Sequence, residues 1–236
     1  MSSDVISTLR QVMEADSRIR AAGPPISVAL DGEGGVTLDG EVVSVAAKRL
    51  ALDRAARLPD VLTVVDRLRV APIRRFTDEQ IRRRLLDLFV EDAAFSDYEF
   101  VSSPRRSAAL RRSTSKPRIE FQVEDGVVKL TGRVSAPLHK RLAGVFAWWT
   151  PGTRDVLNLL EVEPAVPDGD EQIADAIRTV MDKDPLISIV PDVSVREAVA
   201  SLSGTAANAD EREAAEADAW YVFGVHDVVN SIQPKR

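Results

Sequence analysis

The 236-residue chain predicts an α+β protein of three tandem α-β-β-α-β modules, each a small mixed sheet packed against two helices. Three observations predict it. A strand-and-glycine phrase is written three times, as "GGVTLDGEV" (Gly34 to Val42), "GVVKLTGRV" (Gly126 to Val134) and "AVASLSGTA" (Ala198 to Ala206). Aligned on Gly40, Gly132 and Gly204, the copies also bring Leu38, Leu130 and Leu202 into step, then Val64, Val156 and Val228, and then Leu68, Leu160 and Ile232, without a gap. Each phrase is also preceded by an amphipathic helical pattern and a short strand, and followed by a second helix and a last strand.

The elements follow in order. Ile6, Leu9 and Met13 recur at helical spacing, as do Ile81, Leu85 and Phe89, and Ile173, Ile177 and Val180, which predicts the opening helix of each module. Thr77 with Gln80 predicts a capping box at the second of these. The first strands are "ISVAL" (Ile26 to Leu30), "RIEFQV" (Arg118 to Val123) and "DVSV" (Asp192 to Val195). In the repeated phrase Val36, Leu38 and Val42 share a face, as do Val128, Leu130 and Val134, while Thr37 and Lys129 face the other way. Gly40, Gly132 and Gly204 are read as structural, because a residue without a Cβ permits a sharp turn or a close neighbour. Ser44, Ser135 and Asn208 suit the N-caps of the second helices. In the closing strands Asp66, Asn158 and Asn230 stand where alternation expects an apolar residue, and a hydrogen bond to nearby backbone is expected to account for them.

Linkers fall at "APIRRF" (Ala71 to Phe76) and "EPAVPDG" (Glu163 to Gly169), where proline and charge interrupt both patterns, so the modules are expected at 1–72, 73–163 and 164–236. A unit of about 70 residues has a thin core, which packing against its neighbours would thicken. With 44% apolar and 29% charged residues the chain has the composition of a folded domain. A net charge of −6 argues against a nucleic-acid partner, and the lack of cysteine excludes disulfide and thiolate chemistry. The opening "MSSDVISTLRQVMEADSR" is unlike a secretory signal, and no apolar run approaches the ~18 residues of a membrane span. A cytoplasmic location is therefore expected, with a peripheral place at the inner membrane compatible with it.

The pattern of "GVVKLTGRV", an alanine-rich helix and the ending "PGTRDVLNLL" (Pro151 to Leu160), matched by "FGVHDVVNSI" (Phe223 to Ile232), resembles the BON domain, the bacterial module named for osmotically inducible and nodulation proteins. Copy one departs from it, with Asp60 for the glycine and Asp66 for the asparagine; copy three has alanines at Ala198, Ala200 and Ala206. The resemblance implies a non-catalytic α/β module that binds membranes, phospholipid or other ligands, often in proteins of envelope or osmotic stress.

Two stretches are candidate sites. "SSPRRSAALRRSTSKPR" (Ser102 to Arg118) is an insert peculiar to the second module and carries Arg105, Arg106, Arg111, Arg112, Lys116 and Arg118 with no acidic residue. It is expected to meet an anionic lipid surface or a protein partner, the acidic third module of its own chain or of a second copy included; the alternative is a solvated surface loop. Trp148 and Trp149 end the second helix of module two, and Trp220 and Tyr221 hold the same places in module three. Lipid contact is one reading, but packing between modules is favoured, since aromatics at helical spacing are more often buried. For catalysis the inventory is poor. His139 and His226 are isolated in sequence, and no metal spacing, nucleophile elbow or phosphate-binding glycine loop occurs, so neither an enzyme nor a cofactor is expected.

Overall fold

In the computed structural model, which describes residues 2–31, 33–102 and 116–235, the predicted apolar spacing produces the opening helices. Module one runs α1 (Ser2–Ala15), β1 (Ser27–Leu30), β2 (Gly35–Val42), α2 (Val45–Ala56) and β3 (Thr63–Val70). Module two runs α3 (Asp78–Glu91), a 3-10 turn (Ala93–Phe95), β4 (Glu99–Ser102), β5 (Arg118–Glu124), β6 (Val127–Val134), α4 (Pro137–Trp149) and β7 (Asp155–Val162). Module three runs α5 (Asp170–Lys183), β8 (Asp192–Arg196), β9 (Val199–Ser203), β10 (Thr205–Ala206), α6 (Ala209–Tyr221), β11 (Asp227–Asn230) and β12 (Gln233–Pro234). The fold is α+β, and the chain divides into two compact units, Met1–Ala71 and Pro72–Arg236.

The same sheet recurs. The first strand of each module is antiparallel to the middle strand, and the middle strand is parallel to the closing one. Registers coincide as well, with Leu38 opposite Asp66, Leu130 opposite Asn158 and Leu202 opposite Asn230. A parallel pair needs a crossover, and the second helix of each module supplies it. Leu9, Leu38 and Leu68 are fully buried in module one. In module two Phe89 is the centre of a ring cluster, stacked on Phe100 at 5.1 Å and edge-on to Phe95 at 5.3 Å, with Phe121 at 5.7 Å and Phe146 at 6.0 Å.

Two expectations change. β4 adds a fourth strand to module two, parallel to β5, so the sheet order is β4-β5-β6-β7 and the insert joins two strands rather than a helix and a strand. Phe100 explains the extra strand, since it brings an aromatic ring onto the Phe89 cluster. The N-cap of α4 is Ala136, with no side-chain bond, rather than Ser135. The repeat register puts Ala136 at the place of Ser44 and Asn208, which do cap their helices, accepting from Ala47 N at 3.1 Å and Glu211 N at 2.9 Å. The Thr77–Gln80 capping box forms as expected.

One repeated device is legible only in hindsight. "DEQI" opens both α3 and α5, and its aspartate reaches the hairpin between β5 and β6 in module two and between β8 and β9 in module three. Asp78 accepts from Asp125 N at 2.9 Å and Gly126 N at 2.8 Å, and Asp170 accepts from Glu197 N at 2.6 Å and Ala198 N at 3.0 Å. These carboxylates hold turns whose central residues have left-handed backbone, Ala198 among them at φ +61°. Gly132 is tightly constrained, with φ +117° and a hypothetical Cβ 2.2 Å from the Arg118 carbonyl oxygen.

Opposite substitutions at these two places should act in opposite directions. Ala198→Gly removes a side chain from left-handed backbone and is expected to stabilise the second unit by about 1 kcal/mol in urea denaturation. Gly132→Ala is expected to destabilise it by about 2 kcal/mol or more, through strain and the clash together.

Candidate functional site

Topology places the insert. β4 and β5 are parallel, with Glu99 opposite Arg118 and Ser102 opposite Phe121, so the chain leaving Ser102 has to return to the beginning of β5. Such a crossover takes about a dozen residues or more. The length of the insert is thus what the added strand requires, whereas its charge is not. Arg105, Arg106, Arg111 and Arg112 lie outside the described residues. Of the two basic residues at its end, Lys116 is exposed, and Arg118 is largely buried and paired with Glu120 at 2.8 Å.

The tryptophans belong to a different place. α4 packs against α5 and α6, and the contact joins modules two and three. Trp149 donates its indole N–H to Asp218 at 2.9 Å and stacks on Phe146 at 5.7 Å. Trp148 stacks on Tyr221, ring centroids 6.3 Å apart. Trp220 is buried, as is Arg141, whose guanidinium donates to Asp168 at 2.8 Å and to the Phe223 carbonyl at 3.0 Å. Lys183 pairs with Asp92 across the same contact at 2.8 Å. The structure therefore does not bring the tryptophans together with Arg118. In module one the matching helix face is ionic, with Arg57 on Asp53 at 2.8 Å and Arg54 on Asp16 at 3.3 Å. Arg141 and Asp218 gave no signal in the sequence, because their role depends on which helix lies opposite.

The polar residues of the closing strands are staples. Asp66 accepts from Leu68 N at 2.9 Å and pairs with Lys48 at 2.7 Å. Asn158 accepts from Leu160 N at 3.3 Å and donates to the Lys140 carbonyl of α4 at 2.7 Å. Asn230 accepts from Ile232 N at 3.1 Å and donates to the Arg212 carbonyl of α6 at 3.1 Å. Lys48, Lys140 and Arg212 are the same position of the repeat, so one strand residue holds one helix residue in all three modules.

His139 is less isolated than its sequence position implies. Its Nδ1 lies 2.8 Å from the Tyr98 hydroxyl and 3.0 Å from the Ser135 hydroxyl, and Ser135 N donates to Tyr98 at 2.9 Å. Burial pushes the imidazole pKa down, which favours a neutral ring with Nδ1 as acceptor. The triangle ties Tyr98, just before β4, to the beginning of α4. Among the described residues no group of three or more His, Asp or Glu is placed to hold a metal. No described helix is long and apolar enough to cross a membrane.

The BON domain profile matches residues 2–72, 105–164 and 169–235. The chain belongs to the BON domain family and contains three tandem copies of the module. No curated protein matches it significantly. Among solved structures, the C-terminal domain of CdsD, described as the structural protein of the type III secretion system of Chlamydia trachomatis, aligns with 99% of this chain and 98% of its own at 15% identity and a TM-score of 0.25. A second CdsD structure from that organism aligns with 99% of this chain and 94% of its own at 16% identity and a TM-score of 0.25.

Asn158→Ala is expected to cost about 1–2 kcal/mol, since it frees the Lys140 carbonyl and the Leu160 N–H together. Urea denaturation of the intact chain measures it, and an unchanged midpoint would show that the staple adds nothing.

Proposed function

We propose that the chain is a non-enzymatic scaffold whose BON modules, at 1–72, 73–163 and 164–236, bind anionic phospholipid surfaces through module two. The observation that carries this is the run from Ser102 to Arg118, six basic residues and no acidic one, in a connection whose length the fold explains and whose charge it does not. Module two holds 16 basic against 13 acidic residues, module one 9 against 10 and module three 6 against 14. Arg118 is engaged with Glu120, and Trp148 and Trp149 with module three, so the attraction falls to Arg105, Arg106, Arg111, Arg112 and Lys116. Each adds about 1 kcal/mol near an anionic surface. The setting that fits is peripheral, at the cytoplasmic side of the inner membrane, in a response such as osmotic stress.

Co-sedimentation with vesicles tests it. Phosphatidylglycerol-containing vesicles should recruit the chain at low salt and release it at high salt. A variant with Arg105, Arg106, Arg111 and Arg112 changed to Gln, which preserves the crossover, should bind about a thousandfold more weakly. Equal recruitment by zwitterionic vesicles would sink the proposal.

A second reading is favoured by the charge split itself, with the basic insert meeting the acidic third module of another copy or an acidic protein. Self-association of that kind predicts a dimer that dissociates with salt in sedimentation velocity. A strict monomer at every salt concentration would count against it.

A further inference from the structure

We propose that Asp218 is a proton-operated latch between modules two and three: the protonated carboxyl keeps them closed, and its ionisation opens the seam at Trp148 and Trp149. Asp218 is 1% exposed, near the end of α6, at the point where α4, α5 and α6 converge. Its Oδ1 accepts the Trp149 indole N–H at 2.9 Å, its Oδ2 is buried, and the Asp184 side chain is its neighbour.

What faces Asp218 decides its charge. α4 contributes Trp149, a neutral donor. α5 contributes the carboxyl of Asp184 at its C-cap, which acts on Asp218 with like sign. α6 itself contributes Tyr221, which responds to both carboxylates. Two cations of the interface are engaged elsewhere, Lys183 with Asp92 and Arg141 with Asp168. A charge on Asp218 would therefore be buried beside another carboxylate with no ion pair to it among the described residues, a costly arrangement for a carboxylate.

Burial pushes the Asp218 pKa up to about 8, with Asp184 adding to the rise and the Trp149 bond opposing it. The folded chain thus holds a proton that an unfolded aspartate, near 3.8, has already released. The contribution to stability is full below the unfolded value, and is lost as pH rises from there through about 8. Asp218 and Trp149 belong to different modules, so parting α6 from α4 hydrates the new charge, and the seam at Trp149 is where the cost of ionisation is relieved.

Trp148, Trp149 and Trp220, all three tryptophans of the chain, lie at or beside this seam, so intrinsic fluorescence of the intact protein reports on it. Between pH of about 6.5 and about 9.5 the emission of the wild type should shift to the red with a midpoint near 8. Asp218→Asn should abolish the transition, with far-UV circular dichroism unchanged. Asp184→Asn should move the midpoint down by removing the like charge, and Tyr221→Phe should leave a transition in place, which separates it from tyrosine ionisation. A flat wild-type profile, or the same transition in Asp218→Asn, overturns the latch. If Asp218→Asn does not fold, the Asp184→Asn midpoint decides, and an unmoved or raised midpoint overturns it.

Discussion

Every module depends on one bond between a polar residue of its closing strand and the helix that delivers that strand. The middle and closing strands are parallel, so the chain must return across the sheet through a helix, and the pairing holds only if that helix stays down. Asp66, Asn158 and Asn230 keep it there. Each accepts from the N–H two residues on, and each engages Lys48, Lys140 or Arg212, one helix position in three forms. Copy one uses a carboxylate and the lysine side chain, while copies two and three use a carboxamide and the helix carbonyl. The chemistry changes and the geometry stays.

The same residues deal with the hazard of an edge strand. Alternate residues of β3, β7 and β11 point both backbone groups away from the sheet, where they invite a further strand. Leu68 N–H is taken by Asp66, and its carbonyl by Lys48 at 2.6 Å. Leu160 N–H is taken by Asn158, and Val156 N–H by Asp155 at 2.9 Å. In module three Arg212 donates to the Ile232 carbonyl at 3.1 Å. Lys140 departs from this pattern, lying over the Phe223 ring at 5.5 Å, a position open to it because module three is its neighbour.

The contact between modules two and three shows how one repeated helix acquires different partners. Where module one carries Asp53, Arg54 and Arg57, module two carries Val145, Phe146 and Trp149; Phe146 joins the Phe89 cluster and Trp149 reaches Asp218 of α6. Closing that contact buries Arg141 and Asp218 along with the aromatics. Arg141 finds a carboxylate and a carbonyl, but Asp218 finds a second carboxylate. The interface therefore buries one paired charge and one carboxyl that burial holds in its neutral form.

The three modules, their opening helices and the order of their strands are legible in the sequence, because each depends on local periodicity repeated at fixed spacing. Thr77–Gln80, Ser44 and Asn208 were legible too, since a cap acts within a few residues. Ser135 was not: it stands one place early in the repeat, and its hydroxyl is drawn to His139 and to Tyr98, the latter brought near it only by folding. β4 was missed because Glu99–Ser102 pairs with a strand beyond the insert, and its four residues carry no period of their own. The sequence by itself determined what is repeated. Only the tertiary structure decided that Trp149 of module two faces Asp218 of module three and that Asp184 lies beside Asp218 within module three, because partners far apart in the chain are chosen by how helices pack, not by any local period.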